Sequence, residues 1–214
     1  MSGTNGQTTP YDVDLDAADV SGTRRDLLRR GAVAGGLALG AGAFLGWRPD
    51  QASPAPSKAL DAKIFDFALL LEYLQAGFYG EAVQHGALRG EVRDFAEIVA
   101  GHERAHVDYL RKALGAKARE QPTFHFGDAT RDQRKFLDAA VLLENIGVAA
   151  YNGQAAKLTK PALSAAAEIV SVEGRHAAWI SDIAGRPPAP RAADPGESAA
   201  QVTAALRATG FLKG

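Results

Sequence analysis

The chain has 214 residues, 46% hydrophobic and 23% charged, with a formal net charge of −1. That length holds one globular domain with a true core plus an extension, and the near-neutral balance gives no electrostatic reason to expect nucleic acid or an anionic membrane surface as a partner. Cysteine is absent, which excludes disulfides, thiolate metal sites and cysteine nucleophiles together and leaves His and carboxylates as the only strong metal donors.

Residues 1–22 are polar and acidic without apolar periodicity, the composition of a disordered segment. Thr23-Arg24-Arg25-Asp26-Leu27-Leu28-Arg29-Arg30 then leads into Gly31 to Trp47, an uncharged Ala/Gly/Leu-rich run. This is the layout of a basic n-region and a weakly hydrophobic h-region. The run falls short of the ~20 apolar residues that span a bilayer. Arg24 and Arg25 followed by two leucines resemble a twin-arginine export signal, with Leu27 where that pattern often carries Phe. The resemblance implies the twin-arginine machinery as a partner and a periplasmic or other extracytoplasmic location, membrane-tethered if the signal stays uncleaved. Asp50 to Ser57 offers no clean Ala-x-Ala cleavage site, so residues 23–57 are read as signal plus linker.

Beyond the linker, apolar residues recur at helical spacing, and Gly and Pro fall between the periodic segments. A first helix is expected from the cap Ser57 to about Gly86, and a second from about Glu91 to Leu114, stopped by Gly115. A third begins at the capping-box pattern Thr130-x-x-Gln133 and runs to about Lys157; a fourth runs from near Pro161 to before Gly185. Short links make each pair antiparallel. The fifteen or so residues from Ala116 to Thr130 could extend ~50 Å at ~3.3 Å each, more than the ~37 Å of a 25-residue helix. They can therefore return along the whole length of the helices. The expected class is all-α: a four-helix bundle over 58–186, two antiparallel hairpins joined by a long crossover. A 187–214 extension follows, with a short helix from Asp194-Pro195 to about Arg207.

The two hairpins repeat one another. Asp66-x-Ala68-x-Leu70-Leu71-Glu72-x6-Tyr79 matches Asp138-x-Ala140-x-Leu142-Leu143-Glu144-x6-Tyr151, and Glu103-x-x-His106-x-x-Tyr109 matches Glu173-x-x-His176-x-x-Trp179. Such self-similarity points to a duplicated hairpin with a pseudo-twofold axis.

Glu and His at i, i+3 share a helix face about 5–6 Å apart at Cβ, so each pair can present half of a binuclear metal site. Glu72 lies ~21 Å before the first turn and Glu103 ~18 Å after it, at about 1.5 Å per residue. Glu144 and Glu173 stand at similar distances from the second link. The metal-site candidates are thus Glu72, Glu103, His106, Glu144, Glu173 and His176, expected in one layer. Four carboxylates buried together would repel one another, whereas two divalent ions cancel their charge.

LLE-x6-Y, GHE-x2-H and VEG-x-H, spread between Ser57 and Gly185, resemble the ferritin-like domain family, which includes exported bacterial and desiccation-related proteins. The resemblance implies a di-iron or di-manganese site in a four-helix bundle. By analogy, Glu103 and Glu173 would bridge the ions, Glu72 and His106 would complete one, and Glu144 and His176 the other. It leaves enzymatic activity open. The first expectation is a centre that reacts with O₂ or peroxide, of ferroxidase, peroxidase or manganese-catalase type, in oxidative or desiccation stress. The second is a non-catalytic stress protein stapled by metal.

A third expectation comes from His102-Glu103-x-x-His106, which also reads as the HExxH of a zinc hydrolase. Against it stand Val172 in the other repeat and the unexplained Glu72 and Glu144. Tyr79 and Tyr151 are expected first as core packing, with a role beside the site as the alternative. Asp66, Asp108, Asp138 and Asp182 are expected in solvent unless one orients a ligand His. Phe124-His125-Phe126 in the crossover is expected to pack on the bundle.

Overall fold

The computed structural model describes residues 55–212. The polar segment 1–22 and the export-signal candidate Arg24 to Trp47 lie outside the described residues.

Five α-helices follow in order: α1 Lys58–His85, α2 Gly90–Leu114, α3 Gln133–Ala155, α4 Lys160–Ile183 and α5 Ala199–Thr209. Among the described residues there is no strand, only an isolated antiparallel bridge between Phe124 and Leu212. Helix α1 starts where the Ser57 hydroxyl accepts from Leu60 N at 3.2 Å, and ends at Gly86 with φ 63°, a left-handed cap that glycine takes without a Cβ penalty. Pro161 opens α4, where its missing N–H costs nothing.

Two expected boundaries are corrected. Asp132, not Thr130, caps α3: its Oδ1 accepts from Lys135 N at 2.9 Å. Thr130 is enclosed in a 3₁₀ turn, Gly127–Thr130, and its hydroxyl donates to Glu81 at 2.6 Å. The last helix begins at Ala199 rather than near Asp194, with a complete capping box between Ser198 and Gln201. The preceding residues are held extended across α3, where Glu197 N donates to Ala149 O at 2.9 Å. Gly153 permits that crossing, because a Cβ there would overlap the Glu197 backbone.

Helix α1 packs on α2 and α3 on α4 as hairpins, with α1 also against α3 and α2 against α4. Two apolar clusters fill the interior. One gathers Phe78, Tyr79, Phe95, Phe136 and Ile180, with the Phe78 and Phe136 rings stacked at 5.1 Å. The other gathers Leu69, Tyr73, Leu110, Tyr151 and Ile169. On every helix of the bundle a glutamate falls between residues of the two clusters, so a thin polar layer is closed above and below by hydrocarbon. The crossover lies against this bundle as expected: Phe126 is buried on Phe78 at 5.5 Å, while His125 is exposed.

Candidate metal centre

Glu72 of α1, Glu103 of α2, Glu144 of α3 and Glu173 of α4 are each at most 1% exposed, His106 is 9% and His176 3% exposed. Burying four carboxylates is costly unless each finds compensation. Helical periodicity explains the placement: each glutamate lies in register with the inward apolar stripe, and His three residues later returns to the same face.

The six donors form two groups. Glu72, Glu103, His106 and Glu173 make one; Glu103, Glu144, Glu173 and His176 make the other, with the donor atoms of each group within 4.8 Å of one another. His106 Nδ1 lies 3.1 Å from Glu173 Oε1, 3.3 Å from Glu72 Oε2 and 3.5 Å from Glu103 Oε2. His176 Nδ1 lies 3.3 Å from Glu103 Oε1, 3.4 Å from Glu144 Oε2 and 3.8 Å from Glu173 Oε1. The two oxygens of Glu103 thus face different imidazoles. Two donors about 2.1 Å from one ion are about 3.0–3.4 Å apart at the angles of an octahedron or tetrahedron. Most of these spacings match the edges of such a polyhedron.

A fit test comes from unmet hydrogen-bonding capacity. Among the described residues, seven buried side-chain atoms have no hydrogen-bond partner: Glu72 Oε2, Glu103 Oε1 and Oε2, His106 Nδ1, Glu144 Oε2, Glu173 Oε1 and His176 Nδ1. All belong to the six candidates, and all face inward to the two groups. Buried polar atoms are normally paired, so this cluster fits cation coordination. These carboxylate and imidazole groups could hold metal ions.

The electrostatics agree. Burial, and then the neighbouring carboxylates, push Glu103 and Glu173 well above the ordinary carboxyl range. Burial acts the same way on Glu72, but contacts with His106, Glu103 and Tyr151 together outweigh it and hold that carboxyl low. Burial alone would depress His106; Glu103, Glu173 and Glu72 instead push it up to about 12. These shifts of Glu103, Glu173 and His106 favour protonation, and divalent ions would compete with those protons for the same atoms.

Four further residues complete the site, and sequence periodicity assigned none of them this role firmly. Tyr79 Oη donates to Glu144 Oε1 at 2.5 Å and Tyr151 Oη to Glu72 Oε1 at 2.6 Å, so both are more than packing. Burial and then the facing glutamate push both phenols well above their usual range, keeping them protonated donors. Gln75 Nε2 donates to Glu144 Oε1 at 3.0 Å; its place one turn after Glu72 was the available signal. His102 Nδ1 lies 2.9 Å from His176 Nε2.

His102 belongs to neither donor group, and Glu103 is fully buried; the HExxH stretch does not assemble as two His on one ion. None of the four aspartates supports a ligand His. Asp66 is taken by Arg119 at 2.7 Å and Asp138 pairs with Arg186, while Asp108 and Asp182 are exposed. Trp179 Nε1 donates to Glu91 at 3.1 Å, and Tyr109 is exposed.

A groove between α2 and α4, lined by His102, His106, Val172, Arg175 and His176, opens the imidazole edge of the layer to solvent. A family model described as a ferritin-like domain matches residues 60–186, more than half of the chain. No curated protein matches it.

Proposed function

Because the chain belongs to the ferritin-like domain family, we propose that its six buried Glu and His side chains hold two divalent ions, iron or manganese, in a centre that reacts with O₂ or peroxide. The observation that carries this reading is the set of seven unpartnered donor atoms, which among the described residues lie on those six side chains alone. When bound, a pair of redox-active ions supplies the electrons that reduce the oxidant. The protein's own contribution is positional. Glu103, with one oxygen toward each imidazole, and Glu173, close to both, belong to both donor groups and would be shared by the two ions. Glu72 and His106 complete one position, Glu144 and His176 the other. The apolar clusters on both sides exclude bulk water, and the α2–α4 groove is the route for a small oxidant. Zinc does not suit this reading because it has no redox chemistry and supplies no electrons to an oxidant.

The protein acts outside the cytoplasm, delivered by the twin-arginine pathway through Arg24 and Arg25, and serves in oxidative or desiccation stress. That pathway carries folded proteins, which suits a centre loaded before export.

Metal content of the full chain purified without added metal, followed by peroxide and O₂ consumption by the loaded protein, tests the reading. Two iron or manganese ions per chain with turnover that E103A abolishes is the expected result. A single zinc, or no metal uptake by any route, overturns it. Two ions without turnover replaces the redox role with metal-stapled stability.

A further inference from the structure

We propose that the two metal positions are inequivalent, and that His102 and Gln75 make them so by fixing the Glu144–His176 half more firmly than the Glu72–His106 half. This rests on the metal-centre reading above and adds which half holds its ion.

The internal repeat pairs every ligand with a counterpart, but at two of the positions where it fails one copy carries a side chain that contacts a ligand. His102, which precedes Glu103, corresponds to Val172, which precedes Glu173. Gln75, three residues after Glu72, corresponds to Gly147, three after Glu144. Both departures favour the same half.

With Nδ1 of His176 ligating an ion from among the carboxylates, its proton would reside on Nε2, 2.9 Å from His102 Nδ1, which would accept it. That bond fixes tautomer and ring orientation. On the other side Val172 lines the same groove as His106. Among the described residues, no side chain hydrogen-bonds Nε2 of His106.

The carboxylates differ in the same sense. Glu144 Oε1 accepts from Tyr79 at 2.5 Å and from Gln75 at 3.0 Å. Glu72 Oε1 accepts from Tyr151 at 2.6 Å, and the described residues offer it no counterpart of Gln75. Gly147 makes room for that amide, since a Cβ there would lie 3.4 Å from Gln75 Oε1 and 3.0 Å from Glu173 Oε2. A methyl at 147 would touch Gln75 and press on Glu173. The Glu72–His106 half is therefore the one whose ligands shift and whose ion exchanges first, while the Glu144–His176 half stays loaded. His102 and Gln75 are positioning residues.

Anaerobic titration of the metal-free full chain with Co²⁺, read by calorimetry and by proton NMR of the Co²⁺-loaded protein, tests this. His102 is exposed, so its substitution should leave the fold intact. In H102A one of the two binding steps weakens about 10- to 100-fold and a slowly exchanging, hyperfine-shifted imidazole N–H is lost. H102N, whose Oδ1 takes the place of Nδ1, restores both. Q75A weakens the same step, and V172A, the symmetry-related control, changes neither. H102A behaving like V172A, or weakening both steps alike, overturns the proposal. A wild-type chain that takes up no Co²⁺ overturns the metal-centre reading itself.

Discussion

Tyr151 on α3 donates its phenolic proton to Glu72 on α1, at 2.6 Å inside the bundle. Tyr79 on α1 returns the arrangement to Glu144 on α3 at 2.5 Å. The two hairpins are therefore tied to each other by reciprocal bonds that each orient one terminal carboxylate, leaving its second oxygen to the metal layer. Y79F and Y151F should each lower stability by about 1.5–3 kcal/mol, the range for hydrogen bonds to charged groups, and each should weaken metal uptake. Urea denaturation with and without Mn²⁺ measures both effects; a variant as stable as wild type in both would remove the structural role given to these phenols.

Glu103 should show a reversal of sign with metal. In the metal-free layer its charged form is disfavoured by burial and by Glu72 and Glu144, so E103Q should be as stable as wild type or more so. With Mn²⁺ or Fe²⁺ added, wild type gains stability in proportion to the logarithm of ligand concentration, and E103Q should gain little. Thermal melts across a metal series report the crossover.

Two glycines inside helices should respond oppositely to alanine. Gly147 would push a methyl against Glu173 Oε2 at 3.0 Å, whereas a Cβ at Gly80 meets nothing within 4 Å. G80A should stabilise by about 0.5–1 kcal/mol through helix propensity. G147A should forfeit that gain to crowding of about 1–3 kcal/mol and disturb metal binding. Chemical denaturation and Co²⁺ titration of both proteins make the comparison.

Asp66 gives a pH signature away from the metal layer. The side-chain hydrogen bonds of Arg119 hold its carboxyl below the ordinary value, despite partial burial. A carboxyl whose folded pKa is depressed contributes stability above its unfolded pKa near 3.8 and loses it as pH falls through the lower folded value. D66N should thus be less stable than wild type at pH 7, with the gap closing below about pH 4. Denaturation midpoints from pH 7 to pH 3 follow it, and a gap independent of pH would contradict the ion-pair account.

Export should depend on the arginine pair. Replacing Arg24 and Arg25 together by Lys should leave the chain in the cytoplasm of its host, scored by fractionation and immunoblotting. Unchanged delivery would dismiss the twin-arginine route.

Much of the bundle was legible because helices bury side chains at a fixed period. The apolar stripe, Ser57, Gly86 and Pro161 marked elements, and the repeat of Glu and ExxH marked the six candidate residues. Where local signals competed, the sequence misled. Thr130 and Asp132 can both cap α3, and the choice went to Asp132 once Thr130 found Glu81. Nor does Asp194-Pro195 begin the last helix, since Gly196 and Glu197 first cross α3 and only then does Ser198 cap it.

By itself the sequence determined the helical class, the absence of thiol chemistry, and which residues recur with the spacing of a metal-binding face, because those follow from composition and from a 3.6-residue period. Only the tertiary structure decided what touches what across helices. Register between α1 and α3 gave each tyrosine the other hairpin's glutamate, and register between α2 and α4 set His102 against His176. Contacts between elements depend on rotation and axial offset of packed helices, which no periodicity within one helix encodes.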